Sequence, residues 1–117
     1  NTLVEISEII KSLGNDSKKI SFFFVTVDPE RDTAVNMKKY LNNFNNQIIG
    51  VTGRPEKIGV FLKEMHVYYK KIYLDDDFYT LDHASQLLIF KKGGDFFGTI
   101  SLEENKDIVL KKIKSVI

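Results

Sequence analysis

Two histidines, one run of mixed charges and a triple aspartate carry most of the chemistry available to this sequence, and it has no cysteine to join them. His83 follows Asp82 directly and precedes the apolar run Gln86–Phe90. An imidazole can ligate a transition metal. Asp82 would then orient the ring or deepen the negative field around it, but it serves equally well as a turn residue. On residue type alone, a solitary histidine is read as structural. His66 stands beside Met65 near the end of a predicted helix, where a surface or capping role is expected. Asp28-Pro29-Glu30-Arg31-Asp32 has the charge density that acid–base chemistry uses, yet a structural account covers it. Pro29 stiffens the exit from a strand, Arg31 pairs with a neighbouring carboxylate, and Asp32 caps a helix. Asp75-Asp76-Asp77 offers a docking face for a basic partner, a weak cation site or a solvated turn. It lacks the spaced ligands and the glycine of an EF-hand loop, so the solvated turn is the expectation. Tyr68, Tyr69 and Tyr73 either contact a partner or pack in the core.

These residues need elements to hold them. Leu3, Ile6, Ile9, Ile10 and Leu13 recur at helical spacing, and Gly14 supplies a left-handed stop, which predicts a helix over residues 2–13. Ile20 to Val27 is almost wholly apolar and predicts a strand buried on both faces, with Phe22, Phe23 and Phe24 in the core. Asp32 or Thr33 caps a second helix whose apolar face is Met37, Tyr40, Leu41 and Phe44. Ile48 to Thr52 reads as a short strand ended at Gly53. Pro55 suits the first position of a third helix bearing Ile58, Phe61, Leu62 and Met65. Tyr68–Tyr73 and Phe78–Leu81 read as a small hairpin around the aspartates. Gln86–Phe90 and Phe96–Ser101 flank Lys-Lys-Gly-Gly-Asp, a second hairpin. A last helix is expected to start at Glu103-Glu104 and to end in Lys111, Lys112 and Lys114, charges that suit the helix dipole. The order α-β-α-β-α, hairpin, α combines a parallel βαβ part with an antiparallel edge, the pattern of a thioredoxin-like α/β core with a mixed sheet flanked by helices.

Composition narrows the classes of function. The chain has 117 residues, 43% of them hydrophobic and 28% charged, enough for one domain with a core. Seventeen basic residues against sixteen acidic ones give a net charge of +1, so no charge imbalance points to nucleic acid. No stretch approaches the ~20 apolar residues of a membrane span, and nothing resembles a signal peptide.

Phe24-Val25-Thr26-Val27-Asp28-Pro29-Glu30-Arg31-Asp32-Thr33 closely resembles the strand and loop of the Sco/SenC family, copper-carrying proteins that assist cytochrome c oxidase assembly. The resemblance continues through Gly50-Val51-Thr52-Gly53 and Val67-Tyr68-Tyr69 to Leu81-Asp82-His83 and Phe96-Phe97-Gly98, in order and with the family's spacing. It implies a copper site made of a Cys-x-x-x-Cys pair and one distant histidine, which His83 matches. Soft thiolates suit Cu(I), and one imidazole completes a low-coordinate site that can pass the metal on. It also implies a non-enzymatic role, with accessory thiol-disulfide reduction open to the thiol pair. The implied partners are a cytochrome c oxidase subunit or another copper chaperone. The implied location is membrane-anchored, facing the periplasm or the mitochondrial intermembrane space.

The family places its cysteines just before the first helix. The expectation is therefore a single domain over residues 1–117 that is N-terminally incomplete, its first central strand and cysteine loop lying ahead of Asn1. In such a core that strand runs between the strands at 20–27 and 86–90. A sheet without it leaves two rows of backbone groups unpaired, at roughly 1–3 kcal/mol per buried group. Two other classes of function compete, an enzyme on the same fold and a binding module. A thiol-disulfide oxidoreductase would keep two cysteines without needing His83, and a peroxidase would place one reactive cysteine at the head of the first helix. A thiol-free interaction module would fold and act without metal or reductant.

Overall fold

The computed structural model describes residues 2–67, 69–75, 78–83 and 86–117. Helix α1 (Thr2–Leu13) turns Leu3, Ile9, Ile10 and Leu13 into the core. Ser7 is buried on the same helix because its hydroxyl donates back to the Leu3 carbonyl at 2.8 Å. Gly14 takes φ +57°, the left-handed step expected of it. The chain then winds through a 3-10 helix over Gly14–Lys19, which the sequence pattern did not foretell.

Strand β1 (Phe22–Val25) and strand β2 (Ile48–Val51) run parallel, Phe22 opposite Ile48 and Val25 opposite Val51. Helix α2 (Ala34–Asn42) makes the crossover and buries Met37 and Leu41. Gly50 permits the close approach: a Cβ there would stand 3.0 Å from Leu41 Cδ1 and 3.2 Å from Met37 Cε. Leu3, Ile10, Leu41 and Ile48 form one apolar cluster with Phe22, Phe24 and Phe44 against it. The expectation of a strand buried on both faces fails at Phe23, which is 61% exposed, as is half of Ile49 opposite it. Helices α1 and α2 cover one side of this pair, and the side bearing Phe23 and Ile49 is open. Tyr40, expected on the apolar face of α2, is half exposed and meets Phe44 edge-on at 5.2 Å.

Helix α3 (Pro55–Glu64) starts with proline in its first turn and buries Ile58 and Leu62, while Phe61 is partly exposed. Strands β3 (Tyr69–Asp75) and β4 (Phe78–His83) pair antiparallel, longer than the hairpin expected. Tyr68, Asp76 and Asp77 lie outside the described residues. Strands β5 (Gln86–Phe90) and β6 (Phe96–Ser101) form the second hairpin with the bounds expected from the sequence. Helix α4 spans Lys106–Lys114 and starts later than expected. Asn105 is its N-cap, accepting from the Asp107 N–H at 2.8 Å, so Glu103 and Glu104 lie before the helix. Its Val109 and Ile113 join Ile9, Leu13 and fully buried Ile100 in a second cluster, with Ile20, Leu87 and Ile89 against it. Among the described residues the three strand pairs are not hydrogen-bonded to one another.

Candidate functional site

Two places hold the residues singled out for chemistry: the loop leaving β1 and the end of β4. In open α/β sheets, ligands gather beyond the carboxyl ends of parallel strands, and the Thr26–Thr33 loop occupies that position on β1. Its organiser is Thr26, 1% exposed. The Thr26 N–H extends the parallel ladder to the Val51 carbonyl at 3.1 Å. Its hydroxyl donates to Asp32 Oδ2 at 2.6 Å and accepts from the Asp28 N–H at 2.8 Å. Thr52, at the end of β2, donates its hydroxyl to the Asp32 carbonyl at 2.8 Å. Asp28 is buried, and Arg31 Nε donates to its Oδ2. The structural reading of this run therefore holds for the Arg31 pairing. Asp32 does not cap α2. Thr33 does, accepting from the Asn36 N–H at 3.2 Å. Asp32 is unavailable as a cap because its carboxylate is turned back onto Thr26. Thr26 and Thr52 are the residues that the sequence reading passed over. Each is a hydroxyl at the end of an apolar strand, and that position was the signal.

His83 closes β4, and its backbone stands opposite Tyr69 on β3. The side chains of Tyr69, Asp82 and His83 lie outside what is described. His66 is exposed and has φ +57° just past α3. Its N–H donates to the Lys63 carbonyl at 3.1 Å, and the Val67 N–H donates to the Leu62 carbonyl at 2.9 Å. Those two bonds make a Schellman cap, so the expected capping role is met by the backbone of His66. Among the described residues no three His, Cys, Asp or Glu side chains gather as a metal-binding group.

Glu104, in the turn before α4, accepts from Lys112 Nζ and from the Ser101 N–H. The Lys112 hydrogen bond, with its positive charge, holds the Glu104 carboxyl below the ordinary glutamate range. The acid expected to begin α4 instead ties the preceding turn to the last stretch of the helix.

The SCO1/SenC family model matches residues 1–117, the whole chain. The chain belongs to the SCO1/SenC family. An SCO2-like protein of Rickettsia felis is 30% identical over 115 residues, covering 97% of this chain and 56% of the relative. The chain thus spans little more than half the length of such curated relatives. ScoI of Bradyrhizobium japonicum with copper bound superposes with a TM-score of 0.89 at 33% identity, over 98% of this chain and 73% of that one. ScoI of Arabidopsis thaliana with copper bound superposes at 0.84 and 28% identity, over 97% and 73% of the two chains. These likenesses bear out the thioredoxin-like α/β fold. Copper binding occurs within the family, and family membership agrees with a role other than that of an enzyme. Relatives in Arabidopsis are mitochondrial SCO1 homologues. Among the described residues of this chain, no helix is long and apolar enough to cross a membrane.

Proposed function

We propose that this domain carries copper for cytochrome c oxidase assembly, with His83 as its imidazole ligand and a Cys-x-x-x-Cys pair outside these 117 residues as its thiolates. The observation that carries the reading is the whole-chain family match, joined to bound copper in two members that superpose on this chain. On this reading the metal is cargo, received from another copper chaperone and delivered to an oxidase subunit. The protein acts at a membrane, facing the periplasm or the mitochondrial intermembrane space. The residues present do not suffice for a copper site. There is no cysteine, and a lone imidazole does not retain Cu(I) against cellular thiols. Transfer therefore has no step that this chain performs alone.

Competition of Cu(I) against a chromophoric chelator tests the assignment. These 117 residues should bind weakly and without a thiolate-to-copper band in the ultraviolet. The chain extended by a segment carrying both cysteines should bind tightly. In that extended chain His83→Ala should cost about 3 kcal/mol, on the order of a hundredfold in Kd, with the fold intact. Tight stoichiometric binding by the unextended chain would overturn the ligand set. Unchanged affinity in the variant removes His83 from the site, and loss of folding makes it structural.

A further inference from the structure

The turn between β5 and β6 gathers three exposed phenylalanines at the tip of one hairpin. Phe90, Phe96 and Phe97 are 41%, 57% and 42% exposed. A β-bulge puts two of them there. Ile89 pairs with Gly98 and Phe90 with Phe96, leaving Phe97 as the extra residue on β6. A bulge interrupts the in–out alternation of a strand and re-aims a side chain, so Phe96 and Phe97 are both exposed although they are consecutive. The rings of Phe90 and Phe96 meet edge-on at 5.6 Å between centroids. Lys91 Nζ stands 5.9 Å from the centre of the Phe97 ring, within cation–π reach.

The turn itself is built to be low. Gly93 and Gly94 have φ +99° and +100°, and the Lys91 N–H closes the loop on the Asp95 carbonyl at 2.7 Å. With two glycines at the apex, the rings and the two ammonium groups are the bulkiest features of the tip. Lys91 and Lys92 against Asp95 leave it net positive.

We propose that this tip seats the domain on an anionic lipid surface, the phenyl rings entering the headgroup boundary and Lys91 and Lys92 meeting lipid phosphates. Apolar rings beside lysines are the composition that partitions there: the rings bury, and the flexible lysine stems keep their charge in the polar layer. A second copy of the chain fits poorly, because a two-fold contact sets a patch against itself and would bring lysines onto lysines. Lysine is depleted at protein–protein interfaces, and Lys91 and Lys92 flank the rings here. Nucleic acid would want a broader basic field than a chain of net charge +1 provides. Strand β5 separates the tip from Gln86 by about 14 Å. The end of the hairpin next to His83 in sequence is thus held away from the seated tip. The inference does not rest on copper, and its test uses none.

The test is flotation of the chain, first shown to be folded by a cooperative urea transition, with vesicles of phosphatidylcholine containing about one-third phosphatidylglycerol, against pure phosphatidylcholine. The chain should float with the anionic vesicles only. Phe96→Ser with Phe97→Ser, and separately Lys91→Glu with Lys92→Glu, should each lower the partition coefficient about tenfold or more. The chain has no tryptophan, so Phe96→Trp adds a single reporter whose emission should shift to the blue on the same vesicles. That reporter keeps the test decisive if the serine pair fails to fold. Absence of flotation overturns the proposal, as does flotation that neither pair alters. Lysine dependence with an unshifted tryptophan reduces the effect to surface charge and also overturns it. Binding to a single-stranded oligonucleotide in preference to vesicles would assign the tip to nucleic acid instead.

Discussion

The loop that leaves β1 and the hairpin that ends at His83 are built in opposite ways. In the loop, one buried hydroxyl joins two aspartates, a second ties the backbone to the neighbouring strand, and an arginine closes over Asp28. The β3–β4 hairpin has its ladder, and among the described residues no other strand bonds to it. Its Ile72 and Leu74 are 41% and 72% exposed. Leu74 is the extra residue of a bulge, since Tyr73 pairs with Tyr79 and Asp75 with Phe78. A two-stranded ribbon is marginal by itself in water. The contrast separates two jobs. The loop fixes the ends of the parallel strands, and the hairpin ends at His83, whose backbone is placed by the β3–β4 ladder. Changes in the first should be felt by the whole fold, and changes in the second should stay local.

The sharpest attack on that contrast is Thr26→Val, which keeps the shape and deletes the hydroxyl. It takes the Thr26 hydroxyl from the buried Asp28 N–H and from one oxygen of the half-buried Asp32. The expected loss is about 2–3 kcal/mol of unfolding free energy, read as a fall in urea midpoint at constant slope. A loss under about 0.5 kcal/mol, the range of an ordinary surface change, would mean that water replaces the hydroxyl and that the loop is no brace.

The boundary between the two regions is His66. Its φ of +57° is unusual for a residue with a side chain, and only its backbone is used in the cap. His66→Gly should therefore stabilise the protein, by about 1 kcal/mol, because glycine takes the left-handed region without the steric penalty. Thermal unfolding checks the sign. A destabilised variant would show that the imidazole makes a contact worth more than the strain.

How much of this was legible in the residues follows the range of the interaction. Local rules placed α1 and its glycine stop, proline at the head of α3, and both ends of β5 and β6. Each of those signals is complete within a few residues of chain. Asp32 and Glu104 were misjudged for one shared reason. Both are acids close to a helix start, where local preference makes Asp32 a candidate cap beside Thr33 and sets Glu104 in the first turn of a helix. Each instead has a partner farther along the chain or across the loop, Thr26 for Asp32 and Lys112 for Glu104, and the neighbouring Thr33 and Asn105 do the capping. Phe23 was misjudged because three consecutive phenylalanines carry no sign of which face is covered. Burial depends on what packs over each side, and that is a tertiary fact. The copper reading was legible only through the family's motif, since one histidine and no cysteine define no site by spacing alone.

The smallest effect is expected on the hairpin, and it is the one that could break the comparison. Ile72→Thr keeps a β-branched residue in the strand and removes apolar surface that is already partly in water. Leu74→Ser alters a bulge position that pairs with nothing on β4. Together they should move the unfolding free energy by no more than about 0.5 kcal/mol, as surface changes do. Their mark should appear instead in amide exchange confined to β3 and β4, which would open more readily while β1 and β2 keep their protection. A fall of 2 kcal/mol or more in global stability, about the size expected of Thr26→Val, would show that the hairpin's apolar residues brace the whole fold. His83 would then be held by the core, and exchange at β1 would quicken along with β4.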